Sequence, residues 1–441
     1  MTTTDEPILR PTPATPEPTP RRRSRRGRRE VSRPLVPVEV ELTGFADGGR
    51  AVGHAPDGRV VFVEYGIPGE RVVAEITADH PGYLEATAVQ VLRPSAHRVV
   101  APCQYFGRCG GCQLQHIDYA EQLRLKSAVV REQLVRIGRF DPALVADRVR
   151  DMAGMDGPWG YRNHVRFTVR RDGDVGFMQR GTHRFMRIDR CAIATDRVNA
   201  ILAAAQGRTM QARQLTIRVG EHTGEVMVQP RLQWRPGRRA TGVESGQPCY
   251  HETLLGVPYR ISGPAFFQVN TRQAERLVAL VIDRVEAVQP RVVIDAYAGV
   301  GTFAAQLAPA VDHVVMIEES AAAGDDAEVN LAPFANVTRV VGKVEATLPG
   351  MTPAPDVVVI DPPRTGIAPE VVRAILDSTA RRVVYVSCDP ATLARDLRLL
   401  VDGGFALSEV QPVDMFPQTQ HIECVAVLDR VPPPAPARSA G

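Results

Sequence analysis

Apolar and polar residues alternate along residues 35–95, as they do in strands that bury one face. Turn-forming sequences such as Asp47-Gly48-Gly49 and Pro56-Asp57-Gly58 interrupt the alternation at short intervals. The alternating segments are residues 38–42, 60–63, 71–76 and 86–91. Short strands at this spacing predict a small all-β barrel. Barrels of this size often bind single-stranded nucleic acid, although a fold alone does not define a function.

The pattern changes in residues 271–430, where helical periodicity alternates with short apolar runs. Residues 271–288 repeat apolar positions at helical spacing. The strand-like runs that follow are residues 292–294, 313–317, 357–360, 382–386 and 423–428. Alternating strands and helices predict an α/β domain with a parallel sheet that helices cover on both faces.

Residues 96–270 have no single period. A helix is predicted at about 118–138, followed by mixed strands and turns, which indicates a central α+β domain. Residues 1–34 are rich in Pro, Thr and Arg and cannot build a core, and residues 431–441 are rich in Pro and Ala. Both termini are therefore predicted to be disordered tails.

The charge of the 441-residue chain is uneven, although its net value is only +3. Residues 1–34 carry nine Arg and four Asp or Glu, so the basic excess lies in this tail, which either contacts RNA phosphates or is simply solvated. Only Lys126 and Lys343 are lysines, which is typical of codon bias in a GC-rich genome. Without a long apolar run or a signal-like segment, a cytoplasmic protein is expected.

A glycine-rich turn follows the predicted strand 292–294. Gly299 and Gly301 allow close approach of the backbone to a ligand, and Glu318 ends the next strand, where a carboxylate can accept both ribose hydroxyls. Asp295 at the strand end would repel a pyrophosphate but suits a sulfonium amino acid. The pattern favours S-adenosylmethionine over a nicotinamide dinucleotide, and a tight turn without a ligand is the alternative.

Two later strand ends carry reactive side chains. Asp361 is followed by two prolines, which form a rigid turn and hold this acid in the crevice at the sheet edge, unless the turn merely ends the strand. Cys388 follows the run 382–386 and is a candidate nucleophile, with a buried small hydrophobe as the alternative. Glu423 begins an otherwise apolar strand, where a carboxylate needs a partner or a function. His421, Cys424 and Cys249 are interpreted as structural.

Four of the seven cysteines have the spacing of a metal site. Cys103, Cys109 and Cys112 fall within ten residues, and Cys191 comes much later. Four soft ligands suit zinc or an iron–sulfur cluster, and unrelated reduced thiols are the alternative. An odd number of cysteines argues against a disulfide framework. Four ligands would leave no open iron, so a structural or RNA-positioning role is favoured over radical chemistry.

Together these segments resemble the RNA uracil-C5 methyltransferase family over about residues 36–430. The turn Gly66–Glu70 is similar to one in TRAM domains, and the cysteine run with Gln113 and Gln115 is similar to the family's [4Fe–4S] site, completed by Cys191. Residues 266–270 match the family's F-x-Q-x-N segment. Residues 387–396, Ser-Cys-Asp-Pro-Ala-Thr-Leu-Ala-Arg-Asp, are the most specific match.

The resemblance implies a TRAM barrel, a central domain and a Rossmann-like domain of the class I S-adenosylmethionine-dependent methyltransferases. It implies that Cys388 attacks uridine C6 and that Glu423 is the general base. It implies cofactor contacts at Gln268, Tyr297, Glu318 and Asp361, in addition to Asp295, Gly299 and Gly301 of the glycine-rich turn. The implied substrate is RNA, with 23S rRNA favoured over tRNA, and the protein is expected to be a monomer. Two departures from the family pattern are Asp389, where Asn is usual, and Lys343, where a polar or acidic cofactor contact is expected.

Three other functions are compatible with parts of the sequence. An adenine or guanine N-methyltransferase would share the acid-Pro-Pro turn, but it would not need Cys388 or Glu423. A non-catalytic RNA-binding or assembly protein would not need an intact glycine turn. A TRAM-bearing radical enzyme would need an open iron, which a fourth ligand at Cys191 disfavours.

Overall fold

The structure, a computed structural model, describes residues 36–210 and 213–432. The predictions for the two tails therefore lie largely outside the described residues. Within the described part, no helix is both long and apolar enough to cross a membrane.

Five strands close the predicted barrel, in the order β1-β2-β3-β5-β4. The inward positions of the alternating segments, such as Val40, Val61 and Val72, are almost completely buried and fill the barrel. The sequence pattern did not indicate β2, because this strand is short and includes a glycine. The strands are β1 (Val38–Ala46), β2 (Arg50–His54), β3 (Val60–Glu64), β4 (Arg71–Asp79) and β5 (Tyr83–Arg93).

The central region begins with a helix, α1 (Tyr119–Arg136), close to its predicted bounds. Asp118 starts this helix because its carboxylate accepts the backbone N–H of Glu121 at 2.9 Å. A five-stranded sheet in the order β11-β10-β6-β7-β8 follows. The remaining elements are α2 (Pro142–Arg148), β6 (His164–Val169), β7 (Val175–Met178), β8 (Phe185–Arg187), α3 (Asp196–Ala205), β9 (Thr209–Met210), β10 (Gln214–Val219), β11 (Val226–Gln229), β12 (Gln233–Trp234), β13 (Cys249–Leu254) and β14 (Val257–Ser262).

The last third forms a seven-stranded sheet in the order β17-β16-β15-β18-β19-β21-β20. Its elements are α4 (Thr271–Glu286), β15 (Val292–Ala296), α5 (Thr302–Leu307), β16 (His313–Glu318), α6 (Ala321–Leu331), β17 (Val337–Val341), α7 (Val344–Thr347), β18 (Val357–Ile360), α8 (Pro369–Asp377), β19 (Arg382–Ser387), α9 (Pro390–Asp402), β20 (Phe405–Val413) and β21 (Glu423–Arg430). The five strands from β17 to β19 are parallel.

The prediction of a wholly parallel sheet was wrong, because β21 runs antiparallel to both β19 and β20. No crossover helix lies between β20 and β21, so the chain must return in the opposite direction. Neither β17 nor β20 was predicted. β17 is an edge strand with exposed Thr338 and Arg339, and β20 contains an irregularity between Leu407 and Glu409, so neither has the continuous apolar run of a central strand.

Helices cover both faces of this sheet, as predicted. α4 packs on one face with α5 and α6, and α8 and α9 cover the other. α1 joins the second group, because Val129, Val130 and Leu134 share an apolar core with the sheet and α9. The helix that follows the cysteine run is therefore part of the core on this face of the sheet.

Candidate active site

Cys388 lies in the short connection between β19 and α9. β19 ends at Ser387, and Asp389 is the N-cap of α9, where one carboxylate oxygen accepts the N–H groups of Ala391 and Thr392 at 3.0 and 2.9 Å. The half-buried thiol is thus held between a strand end and a helix cap. This is the carboxyl edge of the sheet, where open α/β sheets bind their ligands.

Glu423 lies across from Cys388 on the neighbouring strand. Ser387 of β19 pairs with Cys424 of β21 in antiparallel register, so the next position along each strand is Cys388 and Glu423. Glu423 is buried, with 6% of its surface exposed. Cys424 is completely buried in the core, as the sequence interpretation expected. The structure therefore brings together the two residues that the resemblance designates as nucleophile and base.

Asp361 is the third member of this group, because it follows β18 and β18 pairs with β19. Burial raises the pKa of the Cys388 thiol to about 11, and the carboxylates of Glu423 and Asp361 add to the increase. Burial, followed by Asp361, raises the pKa of Glu423 well above its usual value. Burial also raises the pKa of Asp361 to about 7. The raised pKa values favour the protonated forms of all three groups, the thiol and the two carboxyl groups.

Arg364 is a functional residue that the sequence interpretation missed. Its positive charge opposes the rise in the pKa values of both Cys388 and Glu423, and its guanidinium lies 3.4 Å from Nδ1 of His421. The signal was available, because Arg364 directly follows Asp361-Pro362-Pro363. The site therefore contains one cation among its carboxyl groups.

Helix α9 holds the turn that carries Arg364. The hydroxyl of Thr392 donates to the carbonyl oxygen of Arg364 at 3.2 Å, and the guanidinium of Arg395 donates to that of Thr365 at 2.8 Å. The buried carboxylate of Asp396 accepts the N–H of Ile367 at 2.9 Å. Both halves of the turn are thus held by α9, the helix that begins two residues after Cys388.

The departure at Asp389 has a structural role, because an aspartate caps a helix as well as an asparagine does. Its negative charge nevertheless adds to the increase in the Cys388 pKa. We expect Asp389→Asn to keep the cap, lower the Cys388 pKa and increase the thiolate fraction at a given pH. The rate of iodoacetamide alkylation at Cys388, followed by peptide mass spectrometry, should rise at lower pH than in the parent protein.

The matched control for this experiment is Asp402→Asn at the other end of α9, which should leave the alkylation profile unchanged. The shift should be modest, because burial and the charges of Glu423 and Asp361 contribute more to the Cys388 pKa than Asp389 does. A profile displaced to higher pH, or not displaced at all, would contradict this account of Asp389.

The glycine turn forms a cleft beside these groups. Gly301 is the N-cap of α5 with φ +82°, a conformation that favours glycine, and an added Cβ would lie 3.0 Å from Leu331. Glu318 accepts the N–H of Gly299 at 2.8 Å and thereby shapes the turn. Asp295 accepts the N–H of Ala304 through one oxygen, and its other oxygen is buried without a partner. Burial raises the pKa of Asp295 to about 7.

The walls of the cleft come from distant parts of the chain. Gln268, Tyr297 and Gly299 line it together with Asp361, so the cleft reaches the group around Cys388. Phe266 also lines the cleft and is 70% exposed. Exposed aromatic surface beside a cleft is suited to contact with a planar group.

Glu345 is a second residue that the sequence interpretation missed. Its carboxylate accepts the hydroxyl of Tyr297 at 3.1 Å, and it follows β17, a strand that was not predicted. Lys343 takes the N-cap position of α7, two residues earlier. Glu345 thus places an acidic group against Tyr297, two positions after Lys343.

The four predicted ligand cysteines line a single cavity of about 310 Å³. Gln115 accepts the N–H of Cys103 at 3.3 Å, and Asn199 accepts that of Cys191 at 2.8 Å. Burial is the main cause that raises the thiol pKa values of Cys109, Cys112 and Cys191. Among residues 36–210 and 213–432, no three His, Cys, Asp or Glu side chains converge closely enough to hold one metal ion.

Comparisons with known proteins cover the same regions. The TRAM domain family matches residues 36–89, and the tRNA (Uracil-5-)-methyltransferase family matches residues 353–431, which include Asp361, Cys388 and Glu423. An uncharacterized RNA methyltransferase of Gloeobacter violaceus is 37% identical over 91% of this chain and all of its own length. Another, of Streptomyces coelicolor, is also 37% identical, over 90% of this chain and 95% of its own.

The chain belongs to the RNA uracil-C5 methyltransferase family. The tRNA (uracil-54, C5)-methyltransferase of Pyrococcus abyssi, solved with S-adenosyl-L-homocysteine, superposes with a TM-score of 0.68 at 26% identity, covering 89% of this chain and 99% of that protein. The predicted resemblance and fold class are confirmed. The chain is thus an RNA methyltransferase with a TRAM barrel.

Proposed function

We propose that this protein transfers a methyl group from S-adenosylmethionine to C5 of a uridine in RNA through a covalent bond between Cys388 Sγ and uridine C6. The observation that carries the proposal is the pairing of Ser387 with Cys424, which brings Cys388 and Glu423 close enough for the Glu423 charge to act on the thiol. Asp361 connects this pair to the cleft, because it lines the cleft and its charge acts on both partners. An amino-group methyltransferase would need neither a thiol nor a second buried acid.

The residues around the glycine turn carry groups that suit S-adenosylmethionine. The unpartnered buried oxygen of Asp295 offers an acceptor for a cationic amino acid, and Glu318 at the end of β16 offers its carboxylate to a ribose diol. Gln268 and Tyr297 would bound the remaining cofactor surface. When bound, the cofactor supplies an electrophilic methyl group on a sulfonium sulfur.

The thiol has to act first, because uracil C5 is a weak nucleophile. As the bond from Cys388 Sγ to C6 forms, the thiol loses its proton and C5 gains enolate character. Asp361 is the candidate acceptor of that proton, since a pKa of about 7 leaves part of its population ionised at neutral pH. C5 then bonds to the methyl carbon, and the donor sulfur leaves with the electron pair of the broken bond.

Glu423 completes the reaction by removing the proton from C5. The electrons of that C–H bond restore the C5–C6 double bond, and the C6–S bond breaks to release the Cys388 thiolate. Arg364 supports this step, because its charge opposes the rise in the pKa of Glu423 and favours the ionised base. The target base must leave its stack to reach the thiol, and the exposed ring of Phe266 is placed to contact it.

The proposed substrate is 23S rRNA, because the barrel combined with a four-cysteine site resembles the ribosomal branch of the family. The second candidate is tRNA, which is favoured by the 0.68 TM-score likeness to the P. abyssi tRNA enzyme. Deleting the gene and measuring 5-methyluridine by mass spectrometry in separated rRNA and tRNA would decide between them. Loss from the large-subunit rRNA alone is expected, loss from tRNA alone would favour the second candidate, and no loss from either would contradict the proposed function.

The four cysteines are proposed to hold a [4Fe–4S] cluster in preference to zinc. A tetrahedral zinc site with Zn–S bonds of about 2.3 Å needs its sulfurs within about 4 Å of one another. The four thiols line one cavity of about 310 Å³, which leaves room for a larger multinuclear group. They lie among the side chains of Arg162, Arg166 and Arg190, whose charges would help to neutralise a tetrathiolate centre.

Metal analysis tests this assignment. Protein purified without oxygen is expected to contain about four iron and four sulfide per chain, and Cys112→Ser should remove most of both. Cys249→Ser is the matched control, because Cys249 begins β13 and lies outside this cavity, and it should retain full metal content. One zinc per chain without sulfide would contradict the cluster and support the alternative.

A further inference from the structure

Residues 414–422, which we name the strap, connect β20 to β21 and lead directly into Glu423. The strap contains neither helix nor strand, so its own backbone ladder does not set its conformation. Asp414, Gln418 and Thr419 are nevertheless buried polar residues. Contacts with other segments must therefore hold this part of the chain in place.

The first end of the strap is held by Lys126 of α1. Its buried ammonium donates to the Asp414 carboxylate at 2.6 Å and to the carbonyl oxygen of Phe416 at 3.2 Å. The hydroxyl of Tyr119 donates to the other Asp414 oxygen at 2.9 Å. Lys126 is one of only two lysines in a chain that otherwise uses arginine. Its ammonium group is more compact than a forked guanidinium and makes both of these close contacts.

The second end of the strap is held by the cysteine run. The backbone N–H of Gln113 donates to the carbonyl oxygen of Gln418 at 3.1 Å. The Gln113 side chain accepts the N–H of Gln420 at 3.2 Å and donates to the carbonyl oxygen of Gly110 at 2.8 Å. Gly110 lies between Cys109 and Cys112, so a single side chain joins the cysteine loop to the strap.

The strap in turn presents groups to the catalytic centre. His421 lines the four-cysteine cavity and contacts Arg364. Glu423, the first residue of β21, comes three residues after Gln420. A shift of the strap would therefore move His421, the partner of Arg364, and would disturb the backbone where it enters β21 at Glu423. Catalytic groups lose much of their effect when displaced by about 1 Å, which makes the fixation of this segment consequential.

We propose that Gln113 is a positioning residue for methyl transfer, and that it acts by tying the four-cysteine loop to the strap that leads into Glu423. The inference rests on the proposed function for its kinetic consequence. Its structural consequence, a strap held by Gln113, does not depend on any activity. Lys126 anchors one end of the strap. At the end nearest the base, Gln113 acts beside Gln122 of α1, which donates to Gln418 Oε1 at 2.9 Å and accepts the Gln418 N–H at 3.1 Å.

The test compares Gln113→Ala with the parent enzyme. Gln113 is half-buried, so the substitution removes the two side-chain hydrogen bonds without emptying the core. Hydrogen exchange of the peptide covering residues 414–423 is expected to increase, with unchanged exchange in α9. With uridine-containing RNA and S-adenosylmethionine, the covalent protein–RNA adduct should persist on the order of ten times longer, because removal of the C5 proton is the step that the displaced Glu423 performs.

Gln411→Ala is the matched control. Its side chain donates to the carbonyl oxygens of Asp151 and Pro412, and it lies on β20 before the strap without contacting the cysteine loop. It should leave both the exchange of residues 414–423 and the adduct lifetime as in the parent.

The outcomes separate the two proposals. If the parent enzyme makes no 5-methyluridine, the proposed function fails, while increased exchange of the strap in Gln113→Ala still supports the structural role. If the parent is active but Gln113→Ala shows parental exchange and parental adduct lifetime, the positioning role is overturned. A general loss of protection throughout Gln113→Ala would equally overturn it, since that result indicates a role in global stability.

Discussion

Replacing Cys388 by alanine is expected to abolish methyl transfer while leaving S-adenosylmethionine binding intact. Without the thiol no bond to C6 forms, and C5 does not become nucleophilic, so a loss on the order of 10⁴-fold or more is expected. The cofactor cleft should persist, because Gly299, Gly301 and Glu318 are fixed by their own hydrogen bonds and by α5. Methyl incorporation into RNA from labelled cofactor measures the first effect, and calorimetric titration of the cofactor measures the second.

The control for Cys388→Ala is Cys249→Ala, which removes a half-buried thiol far along the chain from the strand ends of the sheet. It should retain methyl transfer and the covalent adduct, so that loss of activity at Cys388 is assigned to that sulfur alone. Substantial turnover by Cys388→Ala would rule out the covalent mechanism and return the amino-group methyltransferase to consideration.

Replacing Glu423 by glutamine is expected to stop the reaction one step later. The thiol can still add to C6 and C5 can still take the methyl group, but no base remains across from Cys388 to remove the C5 proton. The methylated adduct should accumulate, and turnover should fall by about 10²- to 10⁴-fold, the usual contribution of a positioned base. Denaturing gel electrophoresis of protein with labelled RNA would show the retarded adduct.

Protein stability provides an independent check on Glu423→Gln. Burial raises the pKa of Glu423 in the folded protein, so folding favours the protonated form and the ionised form costs stability as the pH rises above the value in the unfolded chain. Glutamine resembles the protonated acid. The variant should therefore unfold at the same temperature as the parent or a higher one at neutral pH. A variant that is destabilised and forms no adduct would show that Glu423 is structural.

Cys388→Ala and Glu423→Gln test the two members of one pair of neighbouring residues. Cys388 and Glu423 are 35 positions apart in the chain, but they directly flank the paired residues Ser387 of β19 and Cys424 of β21. Asp361 and Arg364 come from a third strand end. The charge of Asp361 raises the pKa values of Cys388 and Glu423, and the charge of Arg364 lowers them. With its pKa raised to about 11, the Cys388 thiol is mostly protonated at neutral pH, so the proposed attack on C6 requires a proton acceptor.

Much of the fold followed from local patterns. Period-two alternation indicated four of the five barrel strands, and apolar runs indicated five of the seven strands of the α/β sheet. Strands such as β2, β17 and β20 escaped, because short, edge or irregular strands lack a continuous apolar signal. The antiparallel direction of β21 escaped as well, because direction depends on how the chain returns and not on the apolar run itself.

The candidate site divides along the same line. Cys388, Asp361, Glu318 and the glycine turn were predicted because each directly follows a recognisable strand. Arg364 and Glu345 were missed, since an exposed-looking arginine or glutamate acquires a role only through its neighbours. The bond between Gln113 and the strap joins residues 307 positions apart, and no local pattern indicates it.

By itself, the sequence determined which residues stand at strand ends, which turns need glycine, and which cysteines could bind one metal centre. These properties depend on side-chain periodicity and backbone conformation over a few residues. Only the tertiary structure decided which strand ends become neighbours. It set Cys388 opposite Glu423, brought Asp361 into the cleft and tied the cysteine loop to the strap. The reason is that strand order and register minimise the free energy of the whole packed sheet, to which contacts between distant residues contribute most.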